Sequence, residues 1–170
     1  KNTLYFTMYL TILFLPALGA FVAGTLGRKL GVTGAQIITT SCLAISAVLS
    51  LVAFYEVVLA HSPVTIYLGN WVQSGLLDIQ WSFTFDTLTI SIISTVLIIS
   101  SLVHYYSIDY MASDPHNQRF FSYLSMFTFF MLILVAGDNY FLLFLGWEFI
   151  AICSYPVSYT HLTLPTILLV

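Results

Sequence analysis

Long stretches of uncharged, apolar residues dominate this chain and limit the folds that are open to it. Lys and Arg number four and Asp and Glu seven among 170 residues, so 6% of the chain is charged, whereas 59% is hydrophobic. A water-soluble domain carries roughly 25% charged residues, because its surface must be solvated. The sequence therefore excludes a soluble domain and indicates that lipid is its natural solvent. Four basic residues also cannot form the stripe that neutralises phosphates, which excludes nucleic acid as a partner.

Five of these stretches are candidates for membrane-spanning helices. A helix needs about 20 mostly apolar residues to cross ~30 Å of hydrocarbon. We expect spans over residues 4–26, 36–59, 88–103, 120–136 and 140–155, with a tight turn between the last two. The sequence thus predicts an all-α membrane protein with about five transmembrane helices.

The loop between the second and third spans, residues 60–87, has a different pattern. Apolar and polar residues alternate in its second half, which is typical of a β-strand. The apolar members are Ile79, Trp81, Phe83 and Phe85. We expect a small β-hairpin-like loop on the outer surface, because it has no Lys or Arg, whereas Arg28, Lys29 and Arg119 mark the inner loops. Asp86, directly before the third span, is expected to cap its first turn.

Two carboxylates fall inside the predicted spans, where an ionisable group costs several kcal/mol unless it has a partner or water. Glu56 lies about one turn from the end of the second span, and we interpret it as interfacial. Glu148 lies eight residues into the fifth span, after Gly146 and Trp147, and is too deep to reach water. A dry environment favours a neutral carboxyl and a nearby Lys favours the charged form. Glu148 is therefore either a proton relay or a neutral, hydrogen-bonded structural group.

His104 directly follows the third predicted span. An unperturbed histidine titrates near neutral pH, which fits a point where protons enter, although a lone interfacial histidine also fits a structural role. The sequence has no Gly-rich dinucleotide loop, no Cys cluster and no paired helical His. We therefore expect no cofactor and no metal on this chain, with any redox chemistry elsewhere.

Six short motifs follow one another in order within residues 8–155, all of them in the second part of this range, residues 85–155. They are 85–89 (FDTLT), 102–104 (LVH), 114–121 (DPHNQRFF), 138–139 (DN), 146–148 (GWE) and 154–155 (SY). In this order they resemble chain 5 of NADH:ubiquinone oxidoreductase, respiratory complex I, in the form encoded by fungal mitochondrial genomes.

The resemblance implies an antiporter-like subunit of the membrane arm, which couples quinone reduction in other subunits to proton translocation across the mitochondrial inner membrane. It implies that Glu148 pairs with a Lys on a later helix and belongs to the proton pathway. NADH, FMN, iron–sulfur clusters and ubiquinone would be bound by other subunits. Other membrane-arm subunits and the lipid bilayer are the expected partners. Two alternatives stay open, a subunit of a multi-subunit cation/proton antiporter and a structural membrane scaffold.

The two ends of the sequence depart from the resemblance. Met8 fits the usual start of the family, so residues 1–7 are expected to be an upstream extension. The family continues the fifth span with apolar residues, whereas here Pro156 interrupts it. We therefore expect residues 156–170 to be a non-native tail, introduced by a sequencing adapter or by cloning. Because family members are several times longer, the chain is expected to be an N-terminal fragment that cannot pump protons alone.

Overall fold

The first two spans form one helical hairpin. The computed structural model describes residues 2–75, 77–112 and 116–162, so Lys1 and residues 163–170 of the expected tail lie outside the described part. Helix α1 runs over Asn2–Phe54 and is broken at Gly31, whose φ of 75° and ψ of 177° glycine adopts at low cost. The two limbs pack together, since a Cβ on Gly19 would lie 3.2 Å from the Cβ of Cys42. One non-helical residue therefore takes the place of the connector expected between the spans.

A strand pair follows the hairpin of helices. A short π-helical segment, Tyr55–Leu59, ends the second limb of α1. Strand β1 spans Val64–Ser74 and β2 spans Leu77–Phe85, and the two pair antiparallel from one end to the other, with register shifts in β1 after Tyr67 and after Asn70. The strand pair predicted from the alternating pattern is confirmed.

Three further helices complete the described part of the chain. Helix α2 spans Thr87–Tyr110, α3 spans Asn117–Ala136 and α4 spans Tyr140–Leu162. Both limbs of α1, together with α2 and α3, are long and apolar enough to cross a membrane, and α4 adds a shorter apolar helix. The predicted fold class, a helical membrane protein with about five apolar helices and a small β-hairpin, is confirmed.

Asp86 fixes the start of α2. Its carboxylate accepts a hydrogen bond from the backbone N–H of Thr89 at 2.7 Å. This hydrogen bond favours the ionised carboxylate and lowers the pKa of Asp86. The predicted helix cap is confirmed.

Helix α3 lies at the centre of the bundle and packs against α1, α2 and α4. The strand pair covers one end of the bundle, which we call the hairpin end. There Phe83 and Phe85 are fully buried, and the ring of Phe85 lies 4.7 Å from the ring of Tyr9 in α1. The hairpin is therefore part of the folded core and not a free loop.

Candidate proton-handling site

The position of Glu148 depends on where α4 begins, and Asn139 sets that point. The side-chain oxygen of Asn139 accepts a hydrogen bond from the backbone N–H of Leu142 at 3.0 Å. Its amide group donates to the carbonyl oxygen of Gln80 in β2 at 2.8 Å. Asn139 therefore caps α4 and ties the start of this helix to the hairpin.

Gly146 sets the distance between α3 and α4. A Cβ at this position would lie 2.8 Å from both the backbone nitrogen and the Cβ of Leu134. No real Cβ fits at such a distance from backbone, so the two helices can approach this closely only with glycine here. This close contact fixes the rotation of α4 and thereby the direction of the next two side chains, Trp147 and Glu148.

The side chain of Glu148 lies on the exposed face of α4. Its neighbours on that face are large and apolar, and Trp147 is 65% exposed. No hydrogen bond or ion pair joins Glu148 to another residue in the part of the chain that the structure describes. Eight residues of helix at ~1.5 Å each place it about 12 Å from the start of α4. The carboxyl group thus stands well inside an apolar surface.

A carboxyl group in this position needs a partner that is not among the described residues. Hydrocarbon offers neither a hydrogen bond nor a counter-charge, and a charged group there costs several kcal/mol. Glu148 is therefore positioned to form a hydrogen bond or an ion pair with a residue of any polypeptide that packs against this face of α4. With such a partner the group can hold or release a proton.

His104 lies in the interior of the bundle and not at the end of a span. Its side chain is fully buried, and Tyr110, six residues further on, ends α2. Its Nδ1 lies 2.8 Å from the carbonyl oxygen of Ser100, and its Nε2 lies 3.1 Å from the hydroxyl of Ser125 in α3. A carbonyl only accepts, so Nδ1 carries the hydrogen and donates it. In the neutral ring Nε2 then accepts from Ser125.

A second polar contact joins α2 and α3 close to His104. The hydroxyls of Ser100 and Thr128 lie 2.6 Å apart. We call Ser100, His104, Ser125 and Thr128 the polar seam. The seam holds two hydrogen-bonded pairs, His104 with Ser125 and Ser100 with Thr128, and within each pair both groups can donate and accept. The backbone carbonyl of Ser100 lies between the two pairs and only accepts, so a proton can be exchanged within a pair.

The structure does not bring His104 and Glu148 together. His104 points from α2 into α3, whereas Glu148 lies on the exposed face of α4. Glu56 is remote from both by sequence and lies half-buried in the π-helical segment at the hairpin end. Among the described residues, no group of three His, Cys, Asp or Glu side chains is arranged to hold a metal ion.

The hydroxyl members of the polar seam were not predicted from the sequence. A single Ser or Thr in an apolar helix is common, because its hydroxyl can bond to the carbonyl one turn earlier. For Ser100 the sequence did carry a signal, because it precedes His104 by one helical turn on the same helix. The partners in α3 could not be identified without knowing which faces of the helices meet.

The fold and these groups define a class, that of helical membrane proteins with ionisable side chains within their spans. Comparison with known proteins identifies a more specific resemblance within this class. Residues 71–121 match the family described as NADH-ubiquinone oxidoreductase (complex I), chain 5 N-terminus. The resemblance predicted from the sequence is confirmed, and it is to the N-terminal part of chain 5 of this oxidoreductase.

Curated fungal relatives align over most of the chain. NADH-ubiquinone oxidoreductase chain 5 of Cryptococcus neoformans is 67% identical and that of Mycosarcoma maydis 62% identical, each over 148 residues, or 87% of this chain and 22% of the relative. A Neurospora crassa protein named probable intron-encoded endonuclease 4 is 57% identical over 148 residues, 87% of this chain and 27% of that protein. The chain thus spans about a fifth to a quarter of the length of these relatives.

Proposed function

We propose that this chain contributes to the membrane arm of a proton-pumping NADH:ubiquinone oxidoreductase in the mitochondrial inner membrane. Its partners are then the other membrane-arm subunits and the surrounding lipid. The names of the fungal chain 5 relatives support this assignment, as do the apolar helices. The endonuclease name of one relative is not carried over, because four basic residues are too few for a nucleic-acid surface.

The observation that carries the proposal is the unpartnered carboxyl group of Glu148 on the apolar, exposed face of α4. We infer that a Lys on a later helix covers this face, as the chain 5 resemblance implies. With the Lys close by, Glu148 is charged. When the Lys moves away, the dry surroundings favour proton uptake, so moving one partner loads and unloads the carboxyl group.

His104 is the second proton-handling residue of the proposal. We place it inside the bundle as a relay of the polar seam and not as a surface group. Ser107, which is also buried, lies about one turn nearer the end of α2 and gives the seam a polar neighbour on the side away from the hairpin end. A proton reaching His104 can be exchanged with Ser125, because both groups donate and accept.

Electron transfer belongs to other subunits in this proposal. NADH, FMN, the iron–sulfur clusters and ubiquinone bind there, and this chain supplies only proton-carrying groups. The energy of quinone reduction then reaches Glu148 through the movement of its partner.

The test is the Glu148→Gln substitution in the assembled oxidoreductase, with Asp78→Asn as the matched control. Asp78 lies exposed on β2, where it accepts hydrogen bonds from Gln73 and Gln80. We expect Glu148→Gln to lower proton-coupled ubiquinone reduction by about tenfold or more, since it removes a proton-transfer group. Asp78→Asn should leave the rate unchanged. Full pumping in the Glu148→Gln enzyme would contradict the relay and favour a structural scaffold.

Co-purification separates the oxidoreductase from the alternative antiporter. Solubilised membranes containing the tagged chain should yield it together with subunits that oxidise NADH and reduce a quinone. A preparation that exchanges cations for protons and lacks any quinone reductase activity would overturn the assignment while leaving the carboxylate argument intact.

A further inference from the structure

A cavity of about 630 Å³ lies at the hairpin end of the bundle, apart from Glu148 and the polar seam. Phe6 and Tyr9 of α1, Glu56 of the π-helical segment and Val64 and Ile66 of β1 line it. The cavity therefore forms where the spans end and the hairpin begins, at the boundary between hydrocarbon and the polar face of a membrane.

The lining has one charge, and that charge is negative. Glu56 contributes a carboxylate, and the hydroxyl of Tyr9 lies 3.4 Å from its Oε2. The other lining residues are neutral, so within the described part of the chain no Lys or Arg compensates Glu56 inside the cavity. Such a site attracts a cation and repels an anion.

One aromatic ring is open to the cavity. Phe6 lies at the start of α1, lines the cavity and is 41% exposed, whereas Tyr9 is fully buried with its ring against Phe85 and reaches Glu56 through its hydroxyl. The face of an aromatic ring attracts an ammonium group, most strongly when water is excluded. Together with the carboxylate, the ring of Phe6 provides the surroundings that recognise an organic ammonium ion.

The backbone around Glu56 is irregular and held in place. Glu56 lies in the π-helical segment, a form of helix that occurs frequently at functional sites. Five residues after Glu56, His61 has a φ of 52°, which is uncommon for a residue other than glycine. The hydroxyl of Ser62 donates to the carbonyl oxygen of Glu56 at 2.8 Å and fixes this geometry.

An apolar groove runs along α1 from the neighbourhood of the cavity towards the middle of the span. It is about 280 Å³ in volume and is lined by Leu10, Phe14, Leu15 and Leu18, with Thr7 at its start. Leu10 lies one helical turn beyond Phe6, on the same side of α1. A molecule whose charged end occupies the cavity can therefore lay an acyl chain in this groove.

We propose that the Glu56 cavity binds the ammonium headgroup of a phosphatidylethanolamine-type lipid from the leaflet at the hairpin end. The carboxylate of Glu56 and the ring of Phe6 hold the ammonium group, and the groove along α1 holds one acyl chain. The proposal is independent of the proton-pumping role, because neither Glu148 nor the polar seam takes part in it.

The experiment is photo-crosslinking of the full chain in membranes that contain a trace of diazirine-bearing phosphatidylethanolamine or, in parallel, the matching phosphatidylglycerol. Labelled peptides are located by mass spectrometry. We expect phosphatidylethanolamine to label residues 6–18 and 56–66 and phosphatidylglycerol to label them about fivefold less. Glu56→Gln should abolish the preference, Glu56→Asp should keep it, and the exposed Asp78→Asn control should behave as the unchanged chain.

Three results would overturn the proposal. The first is equal labelling of these segments by phosphatidylglycerol and phosphatidylethanolamine, which would remove the role of the carboxylate. The second is the absence of label from both segments, the result expected when further polypeptide fills the cavity. The third is displacement of the label by soluble phosphoethanolamine, which would assign the site to a free headgroup and not to a lipid. The comparison of the two lipids in the unchanged chain decides the matter even where the Glu56→Gln chain fails to fold.

Discussion

At the scale of single residues, the capping carboxylate of Asp86 gives a prediction with a defined pH dependence. Replacing Asp86 by Ala removes the acceptor of the Thr89 N–H and should lower the stability of the first turn of α2 by ~1 kcal/mol. The folded state lowers the pKa of Asp86. Its stabilising effect is therefore complete above the unfolded pKa of about 3.9 and is lost as the pH falls through the folded pKa.

Amide hydrogen exchange at Thr89 and Ile90 measures this effect. The exchange protection of the unchanged chain should fall relative to that of Asp86→Asn as the pH drops below about 4, since Asn caps without titrating. Equal pH dependence in the two chains would show that the carboxylate charge does not stabilise the cap.

His104 allows its structural and proton-carrying roles to be separated. His104→Gln keeps a side chain able to donate and accept hydrogen bonds but cannot take up a proton. We expect this variant, assembled in the oxidoreductase, to keep its melting temperature within a few degrees and to pump protons about tenfold more slowly. A large loss of thermal stability at an unchanged pumping rate would assign His104 a structural role only.

At the scale of elements, the contact between α3 and α4 depends on one glycine. Gly146→Ala places a methyl group 2.8 Å from the backbone nitrogen of Leu134 and should destabilise the protein by roughly 1–3 kcal/mol. Gly27→Ala is the matched control, because its Cβ would lie 3.5 Å from Gln118, an ordinary contact. Denaturation of both variants in detergent should show a loss for Gly146→Ala alone; equal effects would contradict the packing account.

The hairpin is held to the bundle by Asp138 between α3 and α4. Its two carboxylate oxygens accept hydrogen bonds from Ser82 at 3.1 Å and Thr84 at 2.8 Å, and its backbone N–H donates to the carbonyl of Ser82. Asp138→Ala should increase amide exchange across β2 and alter the fluorescence of Trp81, while helix content stays the same. Unchanged exchange in β2 would mean that the buried rings alone hold the hairpin.

The sequence was sufficient to predict the number and type of the helices and strands, but not where the helices end or how they are connected. Apolar length identified the spans and alternation identified the strands, because both depend on local pattern. The break at Gly31 was missed because Arg28 and Lys29 indicated a connector, whereas both remain helical. Helix α2 continues to Tyr110 through polar residues, so His104 is internal and not terminal as expected.

The candidate site was predictable only in part for the same reason. Glu148 could be identified because a carboxylate within an apolar stretch can be recognised from the linear sequence alone. The partners of His104 and Ser100 could not, since Ser125 and Thr128 belong to another helix and sequence spacing carries no information about contacts between helices.

At the scale of the whole molecule, the proton-carrying role of Glu148 depends on what covers the exposed face of α4. Large apolar side chains surround an ionisable carboxyl group there, and the chain spans only about a fifth of its chain 5 relatives. A proton-carrying role requires that Glu148 change its protonation state while the assembled enzyme works.

Infrared difference spectroscopy during NADH oxidation by the assembled oxidoreductase measures that change most directly. We expect a carboxyl C=O band that appears or disappears during turnover, is absent in Glu148→Gln and persists in Asp78→Asn. Identical difference spectra from the unchanged and Glu148→Gln enzymes would contradict the claim that Glu148 carries a proton.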